Sequence, residues 1–326
     1  MNPVITAWSA FSPFGAGADA FRAGIRAGVP VPGLVPGFDA RAVLGKKGTR
    51  SMDRVTALSV AVTGELTTGL STAGLVLGTT GSVQSTMDFT RSSLESERPF
   101  YVDAARFPST VMNCAAGQCA IWHQLKGPNA TVAGGRVSGL LALNYARRLQ
   151  AGGRAGTLLC GAAEEYSAAR AQLSQDGTVL GEGAAMLRLE PPGAHDGLAD
   201  VVALEFGVHE AADAGPILLS CMRRALEKAG AKPGDIGVLA TDRAADEALA
   251  ELFGDHHPER LPCATLIGDT SAAAATFQIL AVLTAAEDDS ALAGRLALVT
   301  AVDHDGSLGC ALLRLRRPAP ITVSAP

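Results

Sequence analysis

At 326 residues, 48% of them hydrophobic, the chain is long enough for two ordinary domains or for one large α/β unit built of two halves. No apolar run reaches the ~18 residues of a membrane span, because Gly, Ser, Thr or a charge interrupts every stretch. A net charge of −5 with scattered Lys and Arg argues against a nucleic-acid surface, and "MNPVITAWSAFSPFG" lacks the basic and apolar regions of a secretory signal, so a cytoplasmic location is expected.

"VITAWSAFS" opens the chain with strand character, and "AGADAFRAGIRAG" follows as a helix closed by Gly28. "SMDRVTALSVAVTGELTTGL" sets Val55, Leu58, Val62 and Leu66 at helical spacing, and "AGLVLGTTGS" is a short buried strand entering a Gly/Thr loop. "PSTVMNCAAGQCAIWHQLKGP" predicts a helix stopped at Lys126-Gly127-Pro128. "NATVAG" is a strand, "LLALNYARRLQAGG" a helix and "AGTLLCGAAEE" a strand, while "DGTVLGEGAAMLRLE" predicts a Gly-broken pair of strands before Pro191-Pro192.

The second half repeats this grammar. "LADVVALEFGVHE" is strand-like, "PILLSCMRRALEKAG" a helix, "DIGVLATD" a strand and "AADEALAELFG" a helix. "CATLIGDTSAAAATFQILAVLTAAE" is a loop leading into a long apolar helix, and "RLALVTAVDHDGSLGCALLRL" is a hairpin. Each half thus ends in a strand, a Gly turn and another strand, which suggests a duplicated α/β unit with halves at 1–192 and 193–326.

Little of the usual chemistry is present. Six cysteines without CxxC spacing and in apolar surroundings read as reduced, buried thiols, and the histidines show no ligand spacing, so no metal or other cofactor is expected. "LGKKGTRS" lacks phosphate-loop spacing and a preceding strand, and "GEGAAM" is not a dinucleotide fingerprint.

The strand–turn–helix "GPNATVAGGRVSGLLALNYARRLQAGG" is the place where a nucleophile would sit, since the first free N–H groups of a helix stabilise an anion. Its tip is Arg136, which has no lone pair to attack with. Cys114 and Cys119 lie on an apolar stretch without a partner His, and Ser138 lacks a base.

In order and spacing, "SMDRVTALSVAV", "LVLGTTGS", "PSTVMNCAAGQCAIWHQLKGPN", "SGLLALNYARRLQAGG" and "DGTVLGEGAAMLRLE" resemble the β-ketoacyl synthases of the thiolase-like fold. The resemblance implies an α-β-α-β-α layered arrangement of two duplicated halves. It also implies a Cys nucleophile, two His that stabilise an oxyanion, and a supporting Lys. This chain departs at each: the nucleophile position is Arg136, the His positions are Asp242 and Asp269, the Lys position is Ala264, and a Gly-Phe-Gly gate is replaced by His304-Asp305-Gly306. Loops after "CGAAEEY" and around Asp242 are short, which fits an abandoned pocket.

The departures resemble the chain length factor, the ketosynthase β subunit that partners a catalytic ketosynthase in type II polyketide synthases. Arg136 departs from the Gln usual there, and the short loops are similar to the smaller partners of highly reducing, polyene-forming systems. The resemblance implies a heterodimer with a catalytic ketosynthase, transient contact with acyl carrier protein, and no catalysis by this chain alone. Val83, Met87 and Phe89 would then set the depth of the partner's acyl tunnel, and Thr110, Met112 and Asn113 would lie at the interface. The plain alternatives are packing under the loop for the first three, and capping and core for the others.

Arg136 has two readings: a plug that fills the dead pocket and pairs with Asp269 or Asp242, or a site for a carboxylate or phosphate of an incoming carrier. Matched opposite charges favour the plug. Other functions remain open at this point: a stand-alone acyl-thioester hydrolase or malonyl decarboxylase, or a scaffold that binds carrier protein without shaping a tunnel.

Overall fold

Strands form where small and branched apolar residues run together, and helices form where a Gly, Asp or Ser terminates an apolar-periodic stretch. A computed structural model describes residues 2–174, 177–194, 197–210 and 214–317. In chain order the first elements are β1 (Val4–Ser12), β2 (Gly15–Ala16), α1 (Ala18–Ala27), α2 (Ala40–Leu44), α3 (Arg54–Gly64), β3 (Gly74–Gly78), α4 (Val83–Leu94), α5 (Cys114–His123) and β4 (Asn129–Val132). Next come α6 (Ser138–Ala151), β5 (Leu158–Glu164), α7 (Ala168–Leu173), β6 (Gly183–Glu190), β7 (Ala199–Val208) and α8 (Ala214–Ala229). The last are β8 (Ile236–Ala240), α9 (Asp246–Phe253), β9 (Glu259–Leu261), α10 (Cys263–Ile267), α11 (Ala274–Asp288), β10 (Leu296–Val302) and β11 (Ser307–Leu315).

The strands follow one hydrogen-bonded path, β4-β3-β5-β6-β1-β7-β11-β10-β8-β9, with β2 paired to β1. β4, β3 and β5 are parallel, and β6 and β1 join antiparallel. From β7 outward the same pattern recurs: β11 is antiparallel to both neighbours, and β10, β8 and β9 are parallel. The two sets meet where β1 touches β7 through Val4–Asp200 and Ile5–Ala199.

Three apolar clusters define the layers. Helices α3 and α5 cover one outer face through Leu58, Val62 and Cys119. Helices α8 and α9 cover the other through Leu218, Met222 and Leu249. Between them α6 and α11 lie sandwiched, with Leu140, Leu143, Phe277 and Leu280 fully buried. This is the thiolase-like α-β-α-β-α arrangement, and it explains why α11 is apolar all round: sheet, helix and sheet surround it. Among the described residues no helix is long and apolar enough to cross a membrane.

Two sequence expectations need correction. The stretch 177–190 holds one strand, β6, whose antiparallel partners are β5 and β1; upstream there is only an isolated bridge from Leu180 to Asp269. Helix α5 begins at Cys114, because Phe107–Thr110 form a separate 3₁₀ turn containing Pro108 and Val111 is extended. It ends when Gln124 turns left-handed at φ 55°, before Lys126-Gly127-Pro128.

Candidate functional site

The end of β4 runs through Gly134 and Gly135 into α6, and this turn is the centre of the site. Gly135 has φ +51°, and a Cβ there would fall 2.0 Å from Asp303 Oδ1, so the residue must be glycine for both reasons. A Cβ at Gly139 would fall 2.3 Å from Thr276 Oγ1, which is how the start of α6 sits against α11. The turn is tightened by Ser138: its hydroxyl accepts from the Gly134 N–H at 3.0 Å and donates to Gly135 O at 2.7 Å. Fully buried and committed in both directions, Ser138 is a structural hydroxyl.

The backbone N–H of Arg136 donates to Asp303 Oδ1 at 2.9 Å, and the N–H of Asp305 donates to Asp303 Oδ2 at 2.9 Å. Asp303 is 3% exposed. A carboxylate of the chain's own therefore occupies a helix-start donor at the nucleophile position, where a reacting carbonyl oxygen would need it. Sequence reasoning placed the gate residue at Asp305, which is exposed and stands outside the cavity described below. Asp303 was missed, and its signal was an acid directly after a buried strand in "AVDHDG".

The Arg136 side chain turns to Asp269, Nη2 donating to Oδ2 at 2.8 Å. Asp269 Oδ1 accepts from the Ser271 N–H at 2.7 Å and lies 4.0 Å from Arg170 Nη2. Burial works to raise the Asp269 carboxyl, but the Arg136 hydrogen bond and charge, the Ser271 N–H and Arg170 hold it below the usual carboxylate range. Arg170, itself buried, donates to the carbonyls of Glu165, Gly181 and Asp269. Of the two partners expected for Arg136, the structure selects Asp269.

Asp242 follows β8 and has no hydrogen bond to Arg136; Oδ2 accepts from the Val302 N–H at 3.4 Å, and Oδ1 is buried without a partner. Burial pushes this carboxyl up, against the Val302 N–H and the charges of Arg136 and Arg260. Arg136, Asp242, Ala264 and Asp269 all line one cavity of about 860 Å³, walled by Ile267 and Phe277. Arg136 therefore lines the pocket and does not fill it: the expected pairing is present, the expected plug is not.

The cysteines offer no replacement nucleophile. Cys119, Cys160 and Cys263 are fully buried, and burial pushes each thiol up to about 12. Cys114, at the first position of α5, is raised by burial and by the negative charge of Asp53. Among the described residues one group, Asp303, His304 and Asp305, is close enough to share a cation. Both Asp303 oxygens are already taken by backbone N–H groups, so the group makes no case for a metal.

The other candidate residues lie elsewhere. Val83, Met87 and Phe89 are on α4, none of whose residues is buried; Met87 is exposed, and Phe89 meets Phe107 edge to face at 6.0 Å. Thr110 closes the 3₁₀ turn and donates to Phe107 O, while Met112 and Asn113 are exposed. Packing under the loop thus does not account for Met87, nor core packing for Met112.

Comparison with known proteins agrees with the fold. A family model described as the β-ketoacyl synthase N-terminal domain matches residues 37–194. The chain is 27% identical over 191 residues to 3-oxoacyl-[acyl-carrier-protein] synthase 2 of Vibrio cholerae, covering 48% of this chain and 46% of that protein. With the Rhizobium meliloti enzyme of the same name it is 28% identical over 261 residues, 65% and 62% of the two chains. The chain spans about half the length of the first curated relatives it matches. Among solved structures, a chain of the ishigamide ketosynthase/chain length factor is 44% identical with a TM-score of 0.92, covering 97% of this chain and 100% of that one. A type II polyketide synthase ketosynthase bound to its acyl-carrier protein shares the fold, at 16% identity and a TM-score of 0.75 over 96% and 99%. The chain belongs to the β-ketoacyl synthase family.

Proposed function

We propose that this chain is a non-catalytic chain length factor that pairs with a catalytic ketosynthase and shapes the acyl tunnel in which a polyketide of the polyene type is elongated on acyl carrier protein. The observation that carries the reading is the closed turn: an arginine at the nucleophile position, its N–H donated to Asp303 and its guanidinium to Asp269. An acyl-transfer site needs the opposite, a free nucleophile and an unoccupied donor for the oxyanion.

The pairing is supported by an apolar face. Leu94, Phe100, Tyr101, Phe107, Met112 and Ile121 are all exposed within one stretch running from α4 to α5. A monomer seldom leaves so much large apolar surface in water, whereas a permanent subunit interface requires it. Beside it β4 ends the strand path with one side unpaired, an edge suited to being covered by a partner. The 44% identical ketosynthase/chain length factor structure supports the same reading. Val83, Met87 and Phe89 are assigned to the tunnel, and Thr110, Met112 and Asn113 to the interface.

The test is co-expression with a catalytic ketosynthase of the same biosynthetic system, followed by mass determination and an elongation assay with and without this chain. A one-to-one complex that elongates only as the pair is the expected result. A stable homodimer that turns over a malonyl or acyl thioester would overturn it in favour of a stand-alone hydrolase or decarboxylase.

A further inference from the structure

Helix α4 does not cap itself. Ser82 occupies its N-cap position with extended backbone, but its hydroxyl makes no bond to the helix's own N–H groups. It donates instead to Glu165 Oε2 at 3.2 Å, and the Gln84 N–H of the first turn donates to Glu165 Oε1 at 2.8 Å. Glu165 belongs to the connection between β5 and α7, so a carboxylate from another element supplies the cap. The arrangement is reciprocal: Gln84 Oε1 accepts the Ala169 N–H in the first turn of α7. A neighbouring acid, Glu164, accepts from the Thr80 hydroxyl at 2.8 and 2.7 Å, fixing the loop just before α4.

This connection is anchored to the closed turn. Arg170, on α7, holds Glu165 O at 2.8 Å and Asp269 O at 2.7 Å, and Asp269 in turn holds Arg136. No residue of α4 is fully buried, Val83 and Phe89 being only half-buried and Phe89 resting on Phe107, so the polar bonds at its N-terminus do most to define where it starts. We propose that Glu165 is the positioning residue of α4, and that through it the position of this helix, and with it the length of the product, is specified. The inference rests on the reading of α4 as part of the tunnel wall.

The experiment uses the purified pair with its catalytic ketosynthase and reads product lengths by mass spectrometry for Glu165→Ala, Glu165→Gln, Gln84→Ala and Met87→Ala. Losing an N-cap of ordinary strength shifts a local equilibrium roughly fivefold, so Glu165→Ala should raise the off-length fraction by about that factor. Glu165→Gln keeps an acceptor for the Gln84 N–H and should retain most of the native length. Gln84→Ala, which removes the reciprocal cap, should broaden the distribution less, and it carries the test if Glu165→Ala does not fold. Unchanged lengths in the Glu165 and Gln84 variants, with a shift in Met87→Ala, would overturn the positioning role and leave the tunnel reading standing. No shift in any of the four would overturn the tunnel reading itself.

Discussion

The turn at 133–138 and the face running from α4 to α5 stand at opposite extremes of the same subunit. In the turn nearly every polar group is committed: Ser138 bonds twice, Asp303 takes two N–H groups, and Arg136 and Asp269 take each other. On the face no residue of α4 is fully buried, and Phe100 and Tyr101 are 83% and 81% exposed. A working synthase needs the reverse at its centre, unsatisfied groups awaiting a substrate. The contrast teaches that unsatisfied surface marks where a protein still has work: here it lies on the outside, on the face proposed above as the interface.

The largest effect should come from charging the bare face. Phe107→Asp or Met112→Asp should weaken the complex with the ketosynthase by about thirtyfold or more, the loss of an interface hot spot, while the unfolding midpoint of the isolated chain changes little; sedimentation and calorimetry check both. If the complex survives, the apolar face is not the interface.

Next is Arg136→Ala, which leaves Asp269 without its guanidinium. With part of the pair in water and with Ser271 and Arg170 still present, we expect a loss of about 2 kcal/mol at neutral pH, and unchanged elongation per mole of intact complex. Because Asp269 titrates below its ordinary 3.8 in the folded chain, the stabilisation is present above that pH and fades as pH falls through the lower folded value. Wild type and variant should therefore converge in acid unfolding curves. Arg136→Cys should gain no acyl transfer, since Asp303 still holds the N–H.

A third prediction concerns Glu164, fully buried at the end of β5, whose carboxyl burial raises from 4.5 to about 7 despite Arg170 and Thr80. A raised carboxyl stabilises the fold most when protonated, so wild-type stability should decline from about pH 4.5 to about pH 7 on its account. Glu164→Gln should flatten that decline in denaturant titrations. The smallest effect is Ser138→Ala, about 1 kcal/mol from two lost hydrogen bonds in a tight turn, with no change in elongation by the pair.

Much of this was legible in the sequence. The alternation of strand and helix placed β1, β3, β5, β7, β8 and the long α11, because apolar periodicity is local. The sequence showed that Arg136 needs an acid but left Asp269 and Asp242 as equal candidates; the structure pairs it with Asp269. What could not be read depended on distance along the chain. Asp303 reaches the turn from 167 positions away, and its neighbour Asp305 looked the same in the sequence. The second strand expected before β6 failed because Gly181 and Gly183 suggest a hairpin, while the partners of β6 are the distant β5 and β1. That the cavity persists beside Arg136 is a matter of volume, which spacing does not encode.

Gly135 and Asp303 constrain each other, since any Cβ at 135 would fall on the carboxylate that holds the Arg136 amide. A chain in which residue 136 became cysteine would find its amide already engaged by Asp303. One that lost Asp303 first would leave the amide uncapped with no nucleophile to serve, and one that replaced Gly135 would clash at 2.0 Å. Each single reversion is costly and none restores chemistry alone.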